Sequence, residues 1–96
     1  MINAEKVNSI VLKVLKDRIE SGERKALAAL NTIEKCIIHA AEQGLIHTTV
    51  YPFNLYDFDY IDEGNAYLTR IEHTLQENGF HVTFDPDARS LLIQWM

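Results

Sequence analysis

The sequence contains a single cysteine, Cys36, so no disulfide can form within the chain. This excludes a disulfide-stapled secreted domain and a zinc site built from several thiolates. A lone thiol is typical of a reducing compartment, and no charged-then-apolar leader precedes the first helical pattern. Together these features predict a cytoplasmic protein.

Long apolar runs are also absent. The longest span only a few residues, whereas a helix needs about 20 to cross a bilayer, so no membrane partner is predicted. The four glycines are scattered and form no glycine-rich phosphate loop. Hydrophobic residues still make up 47% of the 96 residues, which is enough for a core, and the length predicts one domain over residues 1–96.

Basic residues are scarce in the second half of the chain. Residues 51–96 hold two Lys/Arg and eight Asp/Glu, a formal charge of -6, while residues 1–50 hold seven and six, a charge of +1. A protein that binds a nucleic-acid duplex normally carries a basic stripe, so nucleic acid is not an expected partner. The charge favours a protein partner with a basic surface.

Apolar residues recur at helical spacing through most of the first half. The pattern predicts two helices, at about 4–20 and 23–43, with Gly22 between them as a helix stop. Asn3 is a suitable N-cap for the first. The short ESGE link favours two antiparallel helices, and the alternative is one long helix bent at Gly22 that pairs with another chain. Self-association through residues 4–43 therefore stays open.

The second half predicts three strands and one helix. Residues 45–51 (LIHTTVY) have the composition of a short strand, and a helix is predicted over 61–78. Residues 80–85 and 90–95 alternate apolar and polar, which predicts a hairpin that opposes Val82 to Ile93 and Phe84 to Leu91. The resulting fold class is α+β, with a small antiparallel sheet covered by helices.

Residues 54–65, NLYDFDYIDEGN, concentrate acidic and aromatic side chains. Aromatic rings with a charged rim carry binding energy at protein interfaces, so this stretch is the candidate partner-binding surface. An alternative is that the acids only mark a helix N-terminus, with Asp59 or Asp62 as the N-cap. The stretch does not fit a calcium-binding EF-hand loop, which needs a glutamate where Leu68 stands. The candidate residues are Tyr56, Asp57, Asp59, Tyr60, Asp62 and Glu63.

No residue pattern indicates catalysis, a metal or a cofactor. Cys36 and His39 are neighbours on one helix face, but nothing in the spacing brings a third ligand to them. A Cys–His nucleophile would also need an orienting group and an oxyanion site, and neither is recognisable. The sequence therefore predicts a protein that is not an enzyme and holds no metal and no cofactor.

Four short stretches carry a resemblance to a known class of protein: IIHAAEQG, LQENGF, HVTF and LLIQW. Over roughly residues 33–95 their order resembles small uncharacterised accessory proteins of tailed bacteriophages. Several of those bind and inhibit host proteins, and others are virion or assembly components. The resemblance implies a host partner in the host cytoplasm, or a self-assembling virion-associated oligomer, and it assigns no functional residue.

The order of elements also resembles a winged helix, a domain that often binds nucleic acid. Residues 61–78 would then be the recognition helix. That segment has Arg70 as its one certain cation against four acidic residues, which disfavours contact with a phosphate backbone. The sequence is best interpreted as a small interaction protein that binds a protein partner through its acidic and aromatic surface.

Overall fold

The computed structural model describes all 96 residues and confirms the predicted α+β fold class. Two helices and a three-stranded antiparallel sheet follow the predicted order of helix, strand, helix and hairpin. The elements are α1 (Ala4–Glu42), β1 (His47–Val50), a short 3-10 turn (Pro52–Asn54), α2 (Ile61–Glu77), β2 (His81–Asp85) and β3 (Ser90–Gln94).

The predicted division of residues 4–43 into two helices is wrong. Residues Ala4–Glu42 form one uninterrupted helix of 39 residues, which agrees with the alternative of one long helix in this region. Gly22 does not end the helix. It forms a close contact with α2 instead. A β-carbon at Gly22 would collide with the backbone carbonyl oxygen of Glu63 and lie 3.2 Å from the β-carbon of Ala66. The glycine therefore lets α2 approach the backbone of α1.

Local hydrogen bonds explain where α1 begins and ends. The side chain of Asn3 accepts a hydrogen bond from the backbone N–H of Lys6 at 2.9 Å, so the predicted N-cap is confirmed. At the other end, Gly44 adopts a φ of 80°, and the N–H of Leu45 donates to the carbonyl of Ala40 at 3.0 Å. A left-handed glycine with this backbone bond is a Schellman cap, which turns the chain towards β1.

The sheet has the order β1-β3-β2, so the last strand of the chain lies in the centre. Its register opposes Val82 to Ile93 and Phe84 to Leu91, as the alternation predicts. Leu91 and Ile93 are fully buried because they face the helices, and β3 is paired on both edges.

One core of nine buried residues joins both helices to one face of the sheet. α2 runs along α1 in the same direction, from Asp62 beside Arg18 to Leu75 beside Leu30. The core residues are Ala26, Ala29 and Ile33 of α1, Tyr67, Ile71 and Leu75 of α2, and Val50, Leu91 and Ile93 of the strands.

The first turns of α1 take no part in this core. Residues 4–17, hereafter the arm, are all exposed, and packing against α2 begins at Arg18. At about 1.5 Å per residue the arm projects about 21 Å, which contributes to a longest molecular dimension of 65 Å.

Candidate partner-binding cleft

An open cleft of about 410 Å³ lies beside the start of α2. One wall is the segment that links the 3-10 turn to α2, and Arg89 in the hairpin turn contributes to the other. The side chains of four aromatic residues and two aspartates line it, namely Phe53, Tyr56, Phe58, Tyr60, Asp57 and Asp59.

Tyr67 of α2 fixes the aromatic wall of the cleft. Its hydroxyl, fully buried, donates a hydrogen bond of 2.6 Å to the backbone carbonyl of Pro52. The rings of Phe58 and Tyr56 pack on the Tyr67 ring, with centroids 4.6 Å and 6.1 Å away. Burial and the nearby Tyr56 phenol raise the pKa of Tyr67, which therefore keeps its proton and its donor role. The linking segment is thus held against α2 by one hydrogen bond and an aromatic cluster.

Three of the aromatic faces already hold cations of the same chain. The guanidinium of Arg18 lies 3.6 Å from the ring centroid of Tyr60, and that of Arg89 lies 4.5 Å from the centroid of Phe53. The ammonium of Lys25 lies 4.9 Å from the ring of Phe58. Energetically significant cation–π contacts occur about once per 70–80 residues, so three in 96 residues is an enrichment. The rings around the cleft are thus suited to cations.

Of the six residues predicted to bind a partner, four line the cleft: Tyr56, Asp57, Asp59 and Tyr60. Asp57 and Asp59 are exposed, and so is Tyr60, while Tyr56 is half-buried. The carboxylates of these two aspartates make no ion pair within the chain. They give the rim of the cleft two negative charges next to aromatic faces.

The other two predicted residues, Asp62 and Glu63, face α1 instead. The Lys25 ammonium pairs with the Glu63 carboxylate at 3.1 Å, and Glu63 is only 8% exposed. The Ser21 side chain and the Lys25 ammonium stabilise the Glu63 carboxylate more than burial disfavours it, and so its pKa lies below the ordinary value. Arg18 approaches the Asp62 carboxylate at 3.9 Å. α1 thus neutralises Glu63 through a close ion pair and Asp62 through a looser one, in which the Oδ2 atom of Asp62 has no hydrogen-bond partner.

The acidic residues at the start of α2 are not N-caps. Tyr60 occupies the N-cap position and makes no side-chain hydrogen bond there. Asp62 lies in the first turn, where its Oδ1 atom accepts the backbone N–H of Glu63 at 3.0 Å. The prediction that Asp59 or Asp62 caps the helix is wrong, although Asp62 and Glu63 do lie where free N–H groups favour negative charge.

Sequence reasoning missed six of the ten residues that line the cleft, among them Phe53, Phe58 and Arg89, which take part in its aromatic and cation–π contacts. Arg89 is separated from the linking segment by all of α2, and only the tertiary fold brings the hairpin turn to Phe53. One signal was present, since Arg89 is one of only two Lys/Arg residues in the second half of the chain. Phe53 and Phe58 lie next to the predicted residues in sequence.

Metal-ligand side chains do not converge anywhere in the structure. No three His, Cys, Asp or Glu side chains lie close enough together to hold a metal ion. Neither α1 nor α2 contains a stretch that is long and apolar enough to span a bilayer.

No protein-family model, curated protein or solved structure matches this chain. The function has to be inferred from the side chains of the cleft and from the exposed faces of the molecule.

Proposed function

We propose that the protein is a non-enzymatic interaction factor that binds a protein partner by taking arginine or lysine side chains into the cleft. The observation that carries this proposal is the placement of two exposed, unpaired carboxylates, Asp57 and Asp59, beside the rings of Tyr56 and Tyr60. Carboxylates attract the cation, while the rings supply apolar contact area and a negative π-face.

Contacts within the chain supply a pattern for this recognition. Arg89 and Lys25 already lie on the faces of Phe53 and Phe58. A guanidinium from a partner would meet the same kind of surface on the open side of the cleft, with Asp57 and Asp59 within reach. Because α1 pairs with Asp62 and Glu63, the unpaired negative charge within residues 54–65 comes from Asp57 and Asp59.

Electrostatics outside the cleft support the same class of partner. The second half of the chain has a formal charge of -6, and pairing with Arg18 and Lys25 reduces it to about -4. Such a field speeds the approach of a basic protein and slows that of a nucleic acid. The resemblance in element order to tailed-phage accessory proteins would make this partner a host protein in the host cytoplasm.

Binding of basic peptides tests the chemistry of the cleft directly. We expect a hexa-arginine peptide to shift the backbone NMR signals of Tyr56, Asp57, Asp59 and Tyr60 with an affinity that falls as salt rises. A hexa-glutamate peptide should leave them unchanged. Equal responses to both peptides, or a response confined to other residues, would refute the proposal.

Charge reversal tests the same surface against the proteins of a host lysate. The variant Asp57→Lys/Asp59→Lys should capture its partner from a host lysate at least about tenfold less well than the unchanged protein. Glu34→Lys/Glu42→Lys is the matched control, since it makes the same change in net charge at two exposed positions of α1. Capture that survives in the first variant, or is lost equally in the control, excludes the cleft as the partner site.

A further inference from the structure

The apolar stripe of α1 continues from the folded body of the protein, residues 18–96, into the arm. Gly22, Ala26, Ala29 and Ile33 are the buried face of the helix. Ala4, Val11 and Leu15 precede Gly22 by about five, three and two whole helical turns, and so they lie on the same face. No other part of the chain covers this face in the arm.

The uncovered stripe is larger than a few scattered surface residues. Five large aliphatic side chains within about 80° of its centre line are between 39% and 67% exposed, namely Val7, Val11, Leu12, Val14 and Leu15. Ile10, 51% exposed, lies outside the stripe on the flank of the arm. Among the charged residues of the arm, Lys13 lies on the opposite face, and Glu5 and Lys16 lie along one edge of the stripe. Monomeric proteins rarely expose a contiguous apolar patch of more than a few hundred Å².

We propose that the arm packs against the arm of a second copy of the same chain, in antiparallel orientation. The orientation follows from the position of the body, because α2 lies on the same face of α1 as the stripe and begins level with Arg18. A parallel copy would bring the two bodies to the same end of the same face, where they would collide. An antiparallel copy places them at opposite ends.

The free length of the arm matches this arrangement. A two-fold axis near Val11 sets Ala4 of each arm level with Arg18 of the other, where α2 begins. The second arm then fills the stripe from its tip to the level of Arg18, where α2 begins. The same axis places Glu5 of one copy on the same edge of the interface as Lys16 of the other, so that opposite charges flank the apolar contact twice.

The size of the contact predicts its strength. Two arms of about 21 Å bury several hundred Å² per copy, which is below the roughly 800 Å² per partner of a standard stable interface. The dimer should therefore dissociate in the micromolar range rather than the nanomolar range.

Sedimentation velocity over micromolar to sub-millimolar concentrations tests the dimer. The unchanged protein should shift reversibly from monomer to dimer, and Val11→Gln/Leu15→Gln should raise the dissociation constant at least about tenfold. The control Ser9→Gln/Lys13→Gln changes the opposite face of the same arm and should leave it unchanged. A monomer at every concentration, including one whose arm responds only to lipid vesicles, overturns the proposal.

Cysteine trapping tests the orientation. In a Cys36→Ser background, Val11→Cys lies at the two-fold axis and should form an intermolecular disulfide under mild oxidation. Ala4→Cys should not link to itself, because its counterpart lies at the far end of the arm. Self-linking of Ala4→Cys would overturn the antiparallel arrangement. The peptide response of the cleft should be the same in the monomeric Val11→Gln/Leu15→Gln variant, so that the two proposals fail separately.

Discussion

Gly22 of α1 lies against the backbone carbonyl oxygen of Glu63, and no β-carbon fits between them. Gly22→Ala should therefore destabilise the fold by about 1–3 kcal/mol, because the obstacle is backbone that cannot rotate away. The cost exceeds the gain of about 1 kcal/mol that alanine normally brings to the interior of a helix. Urea unfolding followed by circular dichroism measures the difference.

Gly64 of α2 supplies the matched control for this substitution. A β-carbon there would lie 3.7 Å from the ring of Phe53 and 3.8 Å from that of Phe58, which are ordinary van der Waals contacts. Gly64→Ala should thus be neutral or stabilise the protein by about 0.5–1 kcal/mol. The same change would have opposite signs in the two helices, and a stabilised Gly22→Ala would contradict the close contact.

The two glycines also show how far the fold can be predicted from sequence. Strand alternation together with a four-residue loop at 86–89 predicted the register of Val82 with Ile93, because a slip of one residue would turn apolar side chains outwards. Gly22 misled the prediction since a glycine that ends a helix and one that admits a neighbouring helix look alike in sequence. Only α2, which packs across it 41 residues later at Glu63, distinguishes the two.

The hydrogen bond from Tyr67 to Pro52 should contribute measurably to stability. Tyr67→Phe removes the 2.6 Å bond but leaves the Pro52 carbonyl its contact from the N–H of Leu55 at 3.3 Å. The expected loss is therefore about 1 kcal/mol, that of one hydrogen bond and not that of an abandoned buried acceptor. Tyr51→Phe, at an exposed tyrosine, should change the free energy of unfolding by less than half as much.

Tyr67 should also make the protein sensitive to alkali. Its pKa is raised above 10.0 in the folded state, so above about pH 10 the unfolded chain releases the phenolic proton and the folded chain keeps it. The stability that the Tyr67 phenol contributes is therefore fully present below about pH 10 and is lost as the pH rises further. Denaturant midpoints measured between about pH 9 and pH 11 should fall less steeply for Tyr67→Phe than for the unchanged protein. If the midpoints of the two proteins fell equally steeply with pH, the raised pKa of Tyr67 would not be the cause of the alkaline sensitivity.

Glu63 should have the opposite dependence, in acid. Its pKa is lowered from 4.5, so the folded state binds fewer protons than the unfolded state. The stability it contributes is present above about pH 4.5 and is lost as the pH falls through the lowered value. Glu63→Gln should be less stable than the unchanged protein at pH 7, and the difference should shrink towards pH 2, as thermal midpoints can show.

Glu72 provides the comparison, because burial raises its pKa. Its folded form prefers the proton, so its charge disfavours folding above the raised pKa. Glu72→Gln should stabilise the protein at neutral pH and lose that advantage in acid. If both variants changed the free energy of unfolding in the same direction at pH 7, the opposite pKa shifts assigned to Glu63 and Glu72 would be refuted.

Composition alone located the candidate cleft only in part. It selected Asp57 and Asp59 because acidic and aromatic residues alternate there. Composition could not show that Asp57 and Asp59 are unpaired whereas Glu63 is paired, because the partner of Glu63, Lys25, lies 38 residues earlier in the chain. The direction of a carboxylate depends on which helix packs beside it, and this is a property of the tertiary fold.

Two isoleucines of α1 lie in opposite environments. Ile33 is 1% exposed in the core, whereas Ile10 is 51% exposed in the arm. Ile33→Ala should cost about 2–5 kcal/mol, since it removes buried methyl groups and leaves a cavity between α1 and the sheet. Ile10→Ala should change the monomer by less than about 0.5 kcal/mol, because alanine favours the helix and little burial is lost. Unfolding by urea below the concentration at which the protein associates measures both values, and a large loss for Ile10→Ala would mean that the arm is covered by its own chain.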